Sequence, residues 1–159
     1  KLQGHMTSNV ANISQRAALA AVAGPLDEVH EMRKAFDARR RAIVTALNDI
    51  EGVNCPTPTG AFYVFADITA LLGKPLGPKG TVSDTSADFA ATLLDEAHVA
   101  AVPGEAFGEE GRGFVRLSYA GDAGELREGV ARLRAFAERV WNPITGHHTA
   151  TYHPMEVLA

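Results

Sequence analysis

The chain has 159 residues, 46% of them hydrophobic, and a formal net charge of -4. That length encloses a real core and is most simply one globular domain. Weak acidity without a basic run argues against a nucleic-acid partner, and no apolar run approaches the ~20 residues needed to cross a bilayer, so no membrane partner is expected. Cys55 is the only cysteine, which rules out an internal disulfide and fits a reducing, cytoplasmic location.

In chain order, Ser8 or Asn9 is placed to cap a first helix reaching about Val22, with Ile13, Ala17, Ala20 and Ala21 near one face. Gly24-Pro25 ends it and opens a long second helix to about Ile50, proline being suited to a first helical turn. Val29, Phe36, Ile43 and Ile50 recur every seven residues along it, and Met32 and Leu47 widen the stripe. The run Arg39-Arg40-Arg41 reads as a solvated face, with Asp37 and Arg41 as an i,i+4 pair. Val53-Asn54-Cys55 is a short strand candidate, and the proline-rich turn to Gly60 leads into Ala61–Ala66, a strand apolar enough to be expected at the centre of a sheet. Leu72–Ser83, rich in Gly, Pro and Lys, is expected to be a mobile surface loop. Thr85 with Asp88 forms a capping-box start for a helix carrying Phe89, Leu93 and Ala97 to about His98. Val99–Val102 is a short strand ended by Pro103-Gly104, and residues 105–112 form a glycine-rich loop. Asp122 with Glu125 opens a final helix whose stripe is Leu126, Val130, Leu133, Phe136 or Ala137, and Val140. This order predicts an α/β protein, an α+β sandwich with helices packed on a small sheet.

The stretch with chemical interest is Gly113–Ala120. Val115, Leu117 and Tyr119 alternate with Phe114, Arg116 and Ser118, the period-2 pattern of a strand with one apolar face. A permanent cation on such a strand needs an anion to meet it, and the guanidinium fork suits a carboxylate or phosphate. From the pattern alone, a structural arginine paired to an internal acid is as good a reading. His147, His148, His153 and Glu156 in the tail have the chemistry of metal ligands, but their spacing matches no metal motif, and a frayed or partner-contacting tail is the preferred reading. His5 and His98 are lone histidines, more in keeping with packing or exposure than with acid–base work. No phosphate loop, nucleophile elbow or zinc-protease motif is present, and Gly104–Gly108 has the wrong spacing for a dinucleotide fingerprint.

Three blocks in order, Pro58-Thr-Gly60-Ala-Phe62-Tyr63, Val102-Pro103-Gly104-Glu-Ala-Phe107-Gly108 and Phe114-Val-Arg116-Leu117-Ser118-Tyr119, resemble the C-terminal part of class I pyridoxal-phosphate aminotransferases, the aspartate aminotransferase group above all. Gly4-His5-Met6-Thr7-Ser8-Asn9 with Gln15 is similar to the run that follows the family's cofactor lysine, so Gly-His-Met is read as native sequence. The resemblance, spanning roughly residues 1–140, implies the small C-terminal domain of that fold over 25–140, an end of the large domain over 1–24, and a tail over 141–159. It implies that Arg116 grips the substrate's α-carboxylate, that Phe62 lines the substrate pocket, that Ser8 and Asn9 lie at a subunit interface near the neighbouring active site, and that Pro103, Gly104 and Phe107 shape the domain edge. The Schiff-base lysine has no match here, Lys1 falling too late in the motif, so no residue of this chain is assigned a catalytic or cofactor-binding role. Gly4 stands where some dicarboxylate-specific members place an arginine, which puts aspartate preference in question. The implied whole is a homodimeric enzyme exchanging amino and keto groups between an amino acid and a 2-oxo acid through pyridoxal phosphate. This chain would supply the substrate-anchoring portion, inactive without the missing N-terminal part. The competing readings are an effector-binding module of a transcription regulator and a stand-alone interaction domain.

Overall fold

The structure, a computed structural model, describes residues 2–7, 9–138, 140–141 and 148–149. The chain divides into two compact units, Lys1–Ala35 and Phe36–Ala159.

The first unit holds α1 (Leu2–Thr7), α2 (Asn12–Ala23) and the opening turns of α3 (Asp27–Asn48). The expected cap by Ser8 or Asn9 is corrected: the residue at the α2 N-cap is Ala11, with no side-chain hydrogen bond, Asn9 lies in the exposed link before it, and Ser8 lies outside the described residues. Gln15 instead ties the incoming chain to the helix, its side-chain amide donating to the Val10 carbonyl at 2.7 Å. Gly24 ends α2 where any Cβ would collide with the Ala20 carbonyl, to which its own N–H donates. The third helix starts at Asp27 rather than Pro25, with Asp27 and Glu28 placed against the positive end of the helix dipole.

In the second unit, β1 (Tyr63–Asp67), β4 (Val102–Pro103) and β5 (Phe114–Ser118) form an antiparallel sheet in the order β1-β5-β4. The Arg116 strand is therefore the central one, and the expectation that Ala61–Ala66 is central is corrected. Beyond β1 the described residues form only a bridge from Asn54 to Asp67, all that forms of the strand expected over Val53–Cys55. The apolar character of β1 comes from one face buried in the core and a half-buried aromatic face opposite it, not from a central place in the sheet. Val64, Ala66, Val115, Leu117 and Tyr119 pack into one core with Ile43, Leu47 and Ile50, with Phe89 and Leu93 of α4 (Ser86–Ala97), and with Val130, Leu133 and Phe136 of α5 (Ala123–Glu138). Each fully buried Leu, Val or Phe of this set contributes about 1.5–3 kcal/mol of apolar transfer. The final helix ends at Glu138; Val140 lies instead in β6 (Val140–Trp141), which pairs with β7 (His148–Thr149). His147, His153 and Glu156 of the suggested tail cluster lie outside the described residues.

The Leu72–Ser83 segment is not a loose loop but a hairpin, β2 (Pro75–Leu76) against β3 (Thr81–Val82). Leu76 is buried, the Gly77 N–H donates to the Phe136 carbonyl at 3.1 Å, and Glu96 of α4 accepts the Thr81 hydroxyl at 2.6 Å. One leucine and these polar ties to the flanking helices outweigh a composition that reads as flexible; the Lys79 N–H adds a bond to Glu96 at 3.2 Å and its ammonium a 2.9 Å ion pair with Asp95.

Candidate carboxylate-binding face

Alternation along β1 and β5 gives the sheet a second face, away from the helices. Register sets Tyr63 opposite Ser118, Phe65 opposite Arg116, and Asp67 opposite Phe114, so these six residues share it. Phe65 stacks on Phe114 at 5.1 Å, and Phe107, from the 3-10 turn Gly104–Phe107 after β4, meets Phe65 edge-on at 6.2 Å. The result is an aromatic floor with one guanidinium set into it.

Arg116 is half-buried, its guanidinium carbon 4.3 Å from the Tyr63 ring centre and 4.4 Å from that of Phe107. Among the described residues no carboxylate lies within ion-pair distance of it. The acid on the same face, Asp67, turns back on its own chain and accepts the Thr69 N–H at 2.9 Å. The cation lies over both rings, and its N–H groups carry its hydrogen-bonding capacity. A flat cation with a free rim suits a planar carboxylate.

Phe62 joins this set through its neighbour: its ring lies 4.4 Å from that of Tyr63 and 6.2 Å from that of Phe36, and it is 40% exposed. The turn that presents it is pinned by Tyr119, whose hydroxyl donates to the Ala61 carbonyl at 2.9 Å and whose N–H donates to the Phe62 carbonyl at 2.9 Å. This holds Ala61 in the left-handed region at φ 58°, uncommon for a residue with a Cβ. Arg116 and Phe62 are thus linked through one ring. Asn9 belongs to the other unit, and Ser8 is outside the described residues.

The turn bearing Phe107 is fixed by two devices the sequence did not reveal. Gly104 and Gly111 approach so closely that a Cβ on either would strike the carbonyl of the other. Glu105 reaches the start of α4, its Oε1 accepting the Ser86 N–H at 3.2 Å, while the Ser86 hydroxyl accepts the Gly113 N–H at 2.9 Å. The glycine spacing was visible, but only the fold shows what it serves.

The lysines of this unit do not suit a covalently held carbonyl cofactor. Lys74 and Lys79 sit on the hairpin, and the Asp95 carboxylate hydrogen-bonded to Lys79 raises its pKa, the opposite of what a nucleophilic amine needs. In the other unit, Lys34 is exposed and bound to Glu31 at 2.7 Å.

The chain belongs to the aminotransferases of class I and II, whose family model matches residues 1–133. It is 53% identical over 133 residues to the aspartate aminotransferase of Streptomyces avermitilis, covering 84% of this chain and 32% of that protein. It is 44% identical over 135 residues to the aspartate/prephenate aminotransferase of Cereibacter sphaeroides, covering 85% and 33%. The chain thus spans about a third of the length of these curated relatives. Among solved structures it matches the crystal structure of the aspartate aminotransferase from Rhizobium meliloti with a TM-score of 0.79 and 42% identity, over 87% of this chain and 34% of that one. The expected fold class, mixed helix and small sheet within the aminotransferase fold, holds.

Proposed function

We propose that this chain is the substrate-anchoring C-terminal portion of a pyridoxal-phosphate-dependent aminotransferase that exchanges amino and keto groups between an amino acid and a 2-oxo acid. Family membership and the names of the relatives support the reaction class, with aspartate as the amino acid; they give no support to an effector-binding module of a transcription regulator. The observation that carries the assignment within the chain is the guanidinium of Arg116 on an aromatic face, without an acid partner among the described residues, where it docks the α-carboxylate while Phe62 bounds the pocket. The cofactor supplies the electron sink, held by residues of the part this chain does not contain. That part also takes on recognition of a second carboxylate, since Gly4 offers no side chain for it. Ser8 and Asn9 are assigned to the interface of a homodimer, near the partner's active site.

The test is Arg116→Gln in the complete enzyme carrying this segment. Loss of a charged, hydrogen-bonded substrate contact is expected to lower kcat/KM for the amino acid by roughly 100- to 1000-fold. Kinetics within twofold of the parent would remove Arg116 from the site.

A further inference from the structure

We infer that Tyr63 and Phe107 are positioning residues: together they hold the Arg116 guanidinium flat and leave only its rim to the substrate carboxylate. The inference rests on the proposed docking role of Arg116 and adds what sets its orientation. Arg116 lies on the central strand, Tyr63 on one neighbouring strand, and Phe107 on the turn that follows the other. The two rings, carried by different elements, lie 4.3 and 4.4 Å from its central carbon. Phe62 backs the Tyr63 ring at 4.4 Å, and Phe65 meets Phe107 at 6.2 Å. Pairing of Val102 with Arg116 and of Pro103 with Val115 sets the turn in register, and the Glu105–Ser86 bond anchors it.

An arginine usually gains its orientation from an acid, and here that acid would compete with the substrate. Rings do the same work without occupying the N–H groups. An unclamped arginine would have to be ordered when the carboxylate binds, at the expense of affinity. Substitution of a ring should therefore act on substrate binding and leave the chemical step alone.

Phe107 is 53% exposed, so Phe107→Leu should leave the core intact and is the primary variant; Tyr63→Leu is the second. The first readout is the side-chain Nε–H NMR signal of Arg116 in the complete enzyme carrying this segment. It is expected to be shifted upfield by the ring currents and motionally restricted in the parent and in Phe107→Tyr, and to move toward the position of exposed arginines, with greater mobility, in Phe107→Leu. The second is kinetics of the complete enzyme. Each leucine variant is expected to raise the amino-acid KM about three- to tenfold, with kcat within twofold and unfolding temperature little changed. Phe107→Tyr should restore KM. An Arg116 signal already at the exposed-arginine position in the parent, or a KM untouched by either leucine variant, overturns the positioning role while Arg116→Gln still reports on docking. A ring-shifted signal with a KM indifferent to Arg116→Gln instead overturns the docking assignment, and the positioning role with it.

Discussion

A half-buried cation with no acid partner among the described residues loses part of its hydration, and at Arg116 two π faces offset that loss. The same logic of local ties governs the residues around it. Tyr119 is almost wholly buried yet spends its hydroxyl on the Ala61 carbonyl, so Tyr119→Phe should cost about 1 kcal/mol in urea denaturation, the usual worth of one such bond. Cys55 is 2% exposed, and burial pushes its thiol up to about 11 from 9.0. Above pH 9 the unfolded thiol loses its proton before the folded one, so the unfolded state binds fewer protons and stability falls as pH rises from 9 to 11. The fall should be at most about 2–3 kcal/mol and absent from Cys55→Ala when urea midpoints of the two are compared. The alternation around Arg116 was legible in the sequence because a strand's period is local. Tyr63 and Phe107 as its neighbours were not, because those contacts depend on which strands flank it.

Elements were readable where their signals are short-range. Thr85 caps α4 as its spacing from Asp88 indicated, accepting the Asp88 N–H at 3.1 Å and donating to that residue's carboxylate at 2.7 Å. Thr85→Ala should lower stability by about 1 kcal/mol, read from the shift in thermal midpoint. The Arg39–Arg41 run departs from the solvated face expected of it: Arg41 is exposed and bound to Asp37 at 2.7 Å, but Arg39 and Arg40 are half-buried and donate to the carbonyls of Ala120 at 3.3 Å and Pro58 at 3.4 Å. The β2–β3 hairpin and the strand order eluded the sequence, since both are decided by distant partners: Phe136 and Glu96 for the hairpin, Arg116 and Val115 for β4. The Gly104–Gly111 crossing is the sharpest case. A methyl group there meets backbone that cannot yield, so Gly104→Ala should destabilise by roughly 3 kcal/mol or more, measured by urea unfolding. Because that crossing holds the turn bearing Phe107, the variant should also disturb the Arg116 signal.

For the whole molecule, the ordered blocks carried the fold further than periodicity did, because three short motifs at fixed separations constrain topology where a helical stripe constrains only one face. The first unit shows what a stripe leaves open. Ile13, Leu19, Val22, Leu26, Val29 and Met32 are all exposed, at 46–84%, and no residue of α2 is buried. Apolar helices of this kind are not stable alone in water unless something covers them. On the proposed reading, the cover is the N-terminal two-thirds of the aminotransferase. The 159-residue chain by itself should therefore bind a hydrophobic dye and elute above its monomer mass in size-exclusion chromatography. Co-expression with that missing portion should abolish both effects. A clean monomer that leaves the dye dark would show that these helices find their cover within the chain.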